Sequence, residues 1–388
     1  MIDELVDALQ LDKLPTKEWL EANIEELTKG ATDLHPIIDS FKNTQHMRAG
    51  IRDILGRDDV RDTHRTLADV AEICLKTVAK HQWQLMIEKY ARPDRMDELR
   101  DFESPLVILG LGKLGGREPN YHSDLDVIFL YNSTGDSVSK FEACLKEGNT
   151  SQFFFSELAK IITRFVSLSA RGTLYEVDSR LRPTGKSGAL AVSMDEFQRY
   201  FESGQGQLWE RQSLCKARPI FGSADNCEMA MKLVRDAITQ RPWEPEMAGE
   251  IRSMRLAMQK DSTEHNLKRG EGGTVDVEFI TQMLQLKHAP ENDSVLVPGT
   301  REALDRLKSL KFLDAKTADQ LTDGYQLLRS VEARLRLMNT TARHDLPSDS
   351  KQLAKLAYLL NYTDADALTE TVDSHRKTIR KIFEGLVG

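Results

Sequence analysis

Two aspartates, Asp124 and Asp126, stand two residues apart in SDLDVIFLY, at the head of an uninterrupted apolar run. In a strand, residues two apart share a face, so these carboxylates project together while Leu125, Val127 and Phe129 point into a core. Side by side they repel unless a cation sits between them, and hard oxygen ligands favour Mg²⁺. A lone D-x-D is a common tripeptide and fits a solvated strand end equally well, so its surroundings carry the argument. Just upstream, Gly115 and Gly116 permit backbone conformations in which successive N–H groups face one anion, and Lys113 adds a positive charge beside them.

The stretch also opens with a competing signature. Gly110, Gly112 and Gly115 fit G-x-G-x-x-G after Leu106-Val107-Ile108-Leu109. In a dinucleotide fold the third glycine opens a long helix, and an acid follows about 20 positions on. Arg117, Glu118, Pro119 and Asn120 leave no room for that helix before the run at Leu125, so the fingerprint is set aside. A phosphate cradle feeding a metal-binding strand resembles instead the nucleotidyltransferases of the DNA-polymerase-β type, with G-[GS], a short spacer and D-x-D. Such enzymes take a third carboxylate from a neighbouring strand. Asp178, in a strand expected from Leu174 to Arg180, is the candidate.

The elements around these residues follow from periodicity. Leu67, Val70, Cys74 and Val78, continued by Trp83, Met86, Ile87 and Tyr90, recur at helical spacing until Pro93. Between about Phe102 and Gly222 short apolar runs alternate with Gly, Pro and Ser, the texture of an α/β or α+β module. Within it a helix from Ser151 presents Phe155, Leu158, Ile162, Phe165 and Leu168 on one face. RGTLYEVDSRLRP reads as a strand ended by Pro183, SGALAVS as another, and Ser193 with Glu196 as the start of a helix through Tyr200. Beyond Pro245 the pattern is helical, with a stripe of Leu321, Tyr325, Leu328, Val331, Leu335 and Met338 and a final short amphipathic helix in RKTIRKIFEGLV. The fold class expected is α+β: a nucleotidyltransferase domain at 101–225, flanked by an N-terminal helical segment (1–100) and a C-terminal helical bundle (226–388).

Composition bounds the rest. The 388 residues, 40% hydrophobic and 29% charged, describe a globular chain of two or three domains. A net charge of −8 argues against a general nucleic-acid binder. No apolar run reaches membrane length, and MIDELVDALQ is acidic and amphipathic, unlike a secretory leader. Cys74, Cys144, Cys215 and Cys227 form no C-x-x-C or zinc-like group, so reduced thiols in a cytoplasmic protein are expected.

Four longer motifs, in order, carry a family resemblance: GKLGGREPNYHSDLDVIFLY, VDSRLRPTGKSGAL, WERQSLCKARPIFG and GEGGTVDVEFITQMLQL. They resemble the glutamine-synthetase adenylyltransferase family, bifunctional bacterial enzymes built from two homologous halves. One D-x-D copy implies one half, and the lead-in MRAGIRDILGRDDVRDTHRTLADVAEICL is similar to that of the adenylylating half. The start MIDELVD is similar to the linker before that half, so a fragment is expected ahead of a stand-alone homologue. The resemblance implies AMP transfer from ATP to a tyrosine hydroxyl of glutamine synthetase. A PII-type signalling protein is a further expected partner. The alternatives are phosphorolytic removal of AMP, giving ADP, and a non-catalytic docking module.

On this reading Asp124, Asp126 and Asp178 hold two Mg²⁺ ions. Lys113, Gly115, Gly116 and Ser123 meet the phosphates. Arg180 and Arg182, alternating with Asp178, share its strand face and either bind phosphate or orient the aspartates. Lys186 lies in a turn. Lys216 and Arg218 are weaker candidates, with an ion pair to Glu210 as the structural alternative. Asp276 suits the start of a helix, and Glu278, about 200° away on that helix, is a possible active-site residue.

Overall fold

The computed structural model describes residues 13–100, 102–168, 174–339 and 344–387. It is mixed α and β, mostly helical, with one five-stranded mixed sheet. The chain divides into two compact units. One gathers the described residues of Met1–Ala49, Arg65–Pro119 and Ser123–Ala237; the other gathers Gly50–His64, Asn120–His122 and the described residues of Ile238–Gly388.

The strands are β1 (Leu106–Gly110), β2 (Leu125–Tyr131), β3 (Val177–Asp178), β4 (Ala191–Ser193) and β5 (Arg218–Phe221). β1 and β2 are runs of branched and aromatic residues, buried throughout except at Asp126. That pattern suits strands covered on both faces. They pair antiparallel, Leu106 opposite Tyr131 and Gly110 opposite Val127. β5 flanks β1. On its other edge β2 meets two short parallel strands in succession. β3 lies beside its start, with Leu125 opposite Val177 and Asp126 opposite Asp178, and β4 beside its end, with Phe129 opposite Ala191.

Helices of the first unit are α1 (Lys17–Thr28), α2 (His35–Ile54), α3 (Val60–Tyr90), α4 (Met96–Arg100), α5 (Gly112–Gly115), α6 (Asp136–Cys144), α7 (Ser151–Ser167), α8 (Met194–Glu202), α9 (Leu208–Leu214) and α10 (Ala224–Thr239); α2 and α3 also contribute residues to the second unit. The core of the first unit is aromatic. Trp83 of α3 stacks on Phe141 with centroids 5.8 Å apart, and Tyr131 of β2 stacks on Phe155 of α7 at 4.6 Å. Ser193 caps α8, its hydroxyl accepting the Glu196 N–H at 3.1 Å, as the sequence pattern predicts. The second unit is helical: α11 (Glu246–Lys260), α12 (Thr274–His288), α13 (Thr300–Ser309), α14 (Ala315–Leu337), α15 (Ser350–Leu359) and α16 (Ala365–Val387). α14 packs on α16, and α12 touches both α13 and α16. The predicted stripe from Leu321 to Met338 is buried in α14 as far as Leu335, and Met338 is the half-buried C-cap.

Three sequence expectations differ from the structure. The strand expected from Leu174 to Arg180 is only Val177–Asp178. Its first residues are held by helix α2 instead: Lys42 donates to the Leu174 carbonyl, and His46 meets the Tyr175 hydroxyl at 3.2 Å. Thr173 lies outside the described residues. The short helix expected at the C-terminus is the last part of the 23-residue α16. On α7 the core face runs through Phe154, Phe155, Leu158, Ile162 and Val166, while Leu168 is exposed and Phe165 stacks on His35.

Candidate nucleotidyltransfer site

Asp126 and Asp178 are partners across the β2–β3 ladder. Register partners in neighbouring strands project to the same side of the sheet, and Asp124 precedes Asp126 by two residues. The start of β2 is fixed from both sides: the Leu125 N–H donates to the Glu176 carbonyl at 2.8 Å, and the Leu111 N–H to the Asp126 carbonyl at 2.9 Å. Asp124 is exposed and Asp126 and Asp178 are half-buried.

Arg180 stands over this group. Its Nε donates to both Asp178 oxygens, at 2.9 and 2.8 Å, and its backbone N–H to one of them at 2.9 Å. Asp178 first, then Asp126 and Asp124, raise the guanidinium pKa above its ordinary value. One exposed cation thus feels all three carboxylates. Arg180 is a turn residue beyond β3, and this return of the chain lets it reach back to Asp178.

The glycines act differently from the sequence expectation. Neither Gly115 nor Gly116 has positive φ; Gly112 does, at 51°. A Cβ on Gly112 would lie 2.1 Å from Asp126 Oδ2, so this glycine lets the backbone rest on the carboxylate. A Cβ on Gly115 would lie 1.9 Å from the Lys216 carbonyl and 2.5 Å from that of Gly110. Gly115 therefore serves close packing. Gly116 follows α5 as its C-cap, and Lys113 sits inside α5.

The other basic candidates brace loops. Arg182, buried, donates to the carbonyls of Ser179, Gly188 and Ala189 at 2.6, 3.2 and 2.9 Å, closing the loop after β3. Lys216 is buried against Glu118 at 2.9 Å. Arg218 donates to Glu72 at 2.7 Å and to the carbonyls of Gly115 and Leu114 at 3.1 and 3.3 Å. Glu210 accepts from the Tyr200 hydroxyl and the Gln207 N–H instead of pairing with either. The Lys186 side chain lies outside the described residues.

Three carboxylates are the hard oxygen donors that suit Mg²⁺. Among the described residues, no three His, Cys, Asp or Glu side chains are grouped as a ready metal site. The donor chemistry fits, with Asp178 engaged by Arg180.

A family model described as glutamate-ammonia ligase adenylyltransferase matches residues 1–232, a span holding the glycine turn and all three aspartates. The chain belongs to this family. A second model, GlnD PII-uridylyltransferase, matches residues 246–387. Similar curated proteins are named bifunctional glutamine synthetase adenylyltransferase/adenylyl-removing enzyme. That of Thioalkalivibrio sulfidiphilus is 30% identical over 351 residues, covering 89% of this chain and 35% of the relative. That of Nitrosococcus oceani is 28% identical over 361 residues, covering 92% and 36%. That of Xanthomonas campestris pv. campestris is 30% identical over 341 residues, covering 87% and 35%. The chain thus spans about a third of the length of these relatives.

The adenylyltransferase family assignment leaves the fourth motif, GEGGTVDVEF, in the second unit. Asp276 is fully buried in an ion pair with Arg255 and accepts the Gly272 N–H at 2.8 Å, so it does more than complement a helix dipole. Glu278 accepts from the Tyr325 hydroxyl at 3.3 Å.

Several site-shaping residues escape the sequence reading. In sequence Gly112 stands out only as part of G-x-G-x-x-G. Asp69 and Glu72 on α3 hold Arg117 and Arg218, and Glu118 holds Lys216. The available signal was two acids inside the apolar stretch LADVAEICL, where buried carboxylates need partners.

Proposed function

We propose that this chain transfers AMP from ATP to a tyrosine hydroxyl of glutamine synthetase, releasing pyrophosphate. The observation that carries the reading is the pairing of Asp126 with Asp178, beside Asp124 and under one arginine, in a chain of the adenylyltransferase family. Residues 101–225 are read as a polymerase-β-type nucleotidyltransferase domain, flanked by the helical segments 1–100 and 226–388; all five strands fall between Leu106 and Phe221. Asp124, Asp126 and Asp178 would hold two Mg²⁺ ions, which when bound neutralise the triphosphate and lower the pKa of the attacking hydroxyl.

The chain's own contribution is placement. Gly112 brings backbone against Asp126 and fixes that carboxylate. Lys113 and Ser123 supply a cation and a hydroxyl to phosphate oxygens. Arg180, 65% exposed, has the freedom to leave Asp178 and take a phosphate. Arg182 holds the loop that presents it. In-line attack on the α-phosphate then depends on positioning and charge neutralisation, which supply most of the acceleration in such transfers.

Phosphorolytic removal of AMP from glutamine synthetase uses the same carboxylates and is the second reading. The cationic reach of Lys113 and Arg180 favours a triphosphate tail over a lone orthophosphate. A PII-type protein is the proposed regulator, on the match of residues 246–387 to a PII-uridylyltransferase model. A cytoplasmic setting agrees with the four free cysteines. The test incubates the chain with glutamine synthetase, Mg²⁺ and α-labelled ATP, and separately incubates pre-adenylylated glutamine synthetase with phosphate. Label incorporation with pyrophosphate release supports the proposal. ADP formation without incorporation assigns the removing reaction, and neither product overturns both.

A further inference from the structure

We propose that Asp69 and Glu72 are positioning residues for the nucleotide site, aiming Arg117 and Arg218 at the glycine turn. The inference rests on the nucleotidyltransferase reading above. It begins with the length of α5. Four residues are far fewer than a helix needs to stand alone, so α5 must be held from outside.

Two arginines do the holding, Arg218 through its guanidinium and Arg117 through its backbone N–H together with its ion pair to Asp69. Arg218, from β5, bonds the carbonyls of Leu114 and Gly115, the last two residues of α5. Arg117, just beyond α5, donates its backbone N–H to the Leu114 carbonyl at 3.2 Å. It has φ of 55°, a conformation non-glycine residues adopt only under constraint. Its guanidinium is fixed on both Asp69 oxygens, at 2.6 and 2.8 Å.

The acids that aim these arginines lie three residues apart on α3, hence on one helix face. Glu72 is 2% exposed and shared among Arg218, Lys17 and Lys76. Burial pushes its carboxyl up, but Arg218 and Lys17 outweigh that and hold it below the ordinary range. Asp69 is buried as well. Both acids stand behind the turn, and each acts through an arginine. The turn in turn carries Lys113, and its Gly112 rests on Asp126. A displaced α5 therefore shifts Lys113 and withdraws the backbone that rests on the Asp126 carboxylate.

The test uses the full chain with Glu72→Gln, Asp69→Asn and Arg218→Lys. Arg218→Lys keeps the charge facing Glu72 but loses the fork that spans two carbonyls, so it reads positioning even if a carboxylate variant fails to fold. Three readouts are needed: equilibrium binding of a fluorescent ATP analogue in Mg²⁺, KM for ATP against KM for glutamine synthetase, and amide hydrogen exchange across residues 112–118. The expected result is about tenfold weaker nucleotide binding and a matching rise in KM for ATP. KM for glutamine synthetase stays near wild type, and Arg218→Lys keeps its thermal midpoint with faster exchange only in the turn, whereas Glu72→Gln also lowers the midpoint because it leaves Arg218, Lys17 and Lys76 without their shared counter-ion. Wild-type nucleotide binding and exchange in Arg218→Lys would overturn the inference alone. Failure of the unmodified chain to bind the analogue would instead overturn the nucleotidyltransferase reading, and this inference with it.

Discussion

Replacing Asp276 by Asn should unfold the second unit far more readily, by an amount that follows from its surroundings. Asp276 and Arg255 are both fully buried. Asn keeps an oxygen for the Gly272 N–H, so the cost is set by Arg255, whose charge is left buried without its counter-ion. Arg255 still donates to the Gly270 carbonyl at 2.8 Å, which solvates it only in part. Arg380, 3.8 Å from Asp276, adds a second cation to the uncompensated region. Breaking a buried pair from one side costs about 3–5 kcal/mol. With a urea m-value of about 2 kcal/mol/M, the midpoint should fall by about 2 M. Urea titration followed by amide hydrogen exchange of residues 246–387 measures it, because helices occur in both units and a circular dichroism signal would sum them. Arg255→Met combined with Asp276→Leu removes both charges and should recover much of the loss, as apolar replacements of buried ion pairs do. A midpoint shift under about 0.5 M for Asp276→Asn, or a double variant as unstable as the sum of the singles, would refute the reasoning.

Asp124→Asn and Asp126→Asn should each lower AMP transfer at least about 10²-fold in the labelled-ATP assay with little change in thermal midpoint. Gly112→Ala and Gly115→Ala should separate activity from stability. The Gly112 Cβ displaces the Asp126 carboxylate, so transfer falls about 10²-fold at a stability cost of about 1 kcal/mol from its φ of 51°, whereas the Gly115 Cβ meets backbone carbonyls and lowers the thermal midpoint further. Burial pushes the Cys74 and Cys215 thiols up to about 12 from an ordinary 9.0. Their folded pKa lies above the unfolded one, so this contribution to stability is full below about pH 9 and is lost as pH rises toward about 12. At pH 8 both should resist iodoacetamide in the folded chain and react in urea, as mass spectrometry would register.

Local signals were readable in the sequence where one residue's role depends on its neighbours along the chain. Apolar period identified α3, α7 and α14, and the Ser193 cap needed only Glu196 three residues on. The D-x-D spacing points to Asp124 and Asp126, and Asp178 follows from the neighbouring strand expected at Leu174 to Arg180. The basic residues were harder, because a guanidinium's partner is chosen by the fold. Nothing near Arg218 in sequence announces Glu72, 146 positions away. Nothing near Lys216 announces Glu118, 98 positions away. The strand at Asp178 was overextended for the same reason: alternation around Leu174 and Tyr175 fits a strand, but α2 takes their carbonyl and hydroxyl. At Gly115 the demand for glycine comes from crowding, not from φ, and sequence does not distinguish the two.

The brevity of β3 has a thermodynamic consequence for the site it completes. Asp126 belongs to a seven-residue strand whose other six residues are buried, so its backbone opens only when much of the first unit does. Asp178 rides on a two-residue strand, held by its pairing to β2 and by the grip of α2 on Leu174 and Tyr175. The two aspartates therefore sit on strands of unequal length and support, and a site that needs both carboxylates holds together only while β3 is docked. Any ligand that needs all three carboxylates binds with its intrinsic dissociation constant divided by the fraction of molecules in which β3 is docked. Substitutions at Lys42 or His46 thus weaken such a ligand by changing that fraction, while leaving every carboxylate in the sequence.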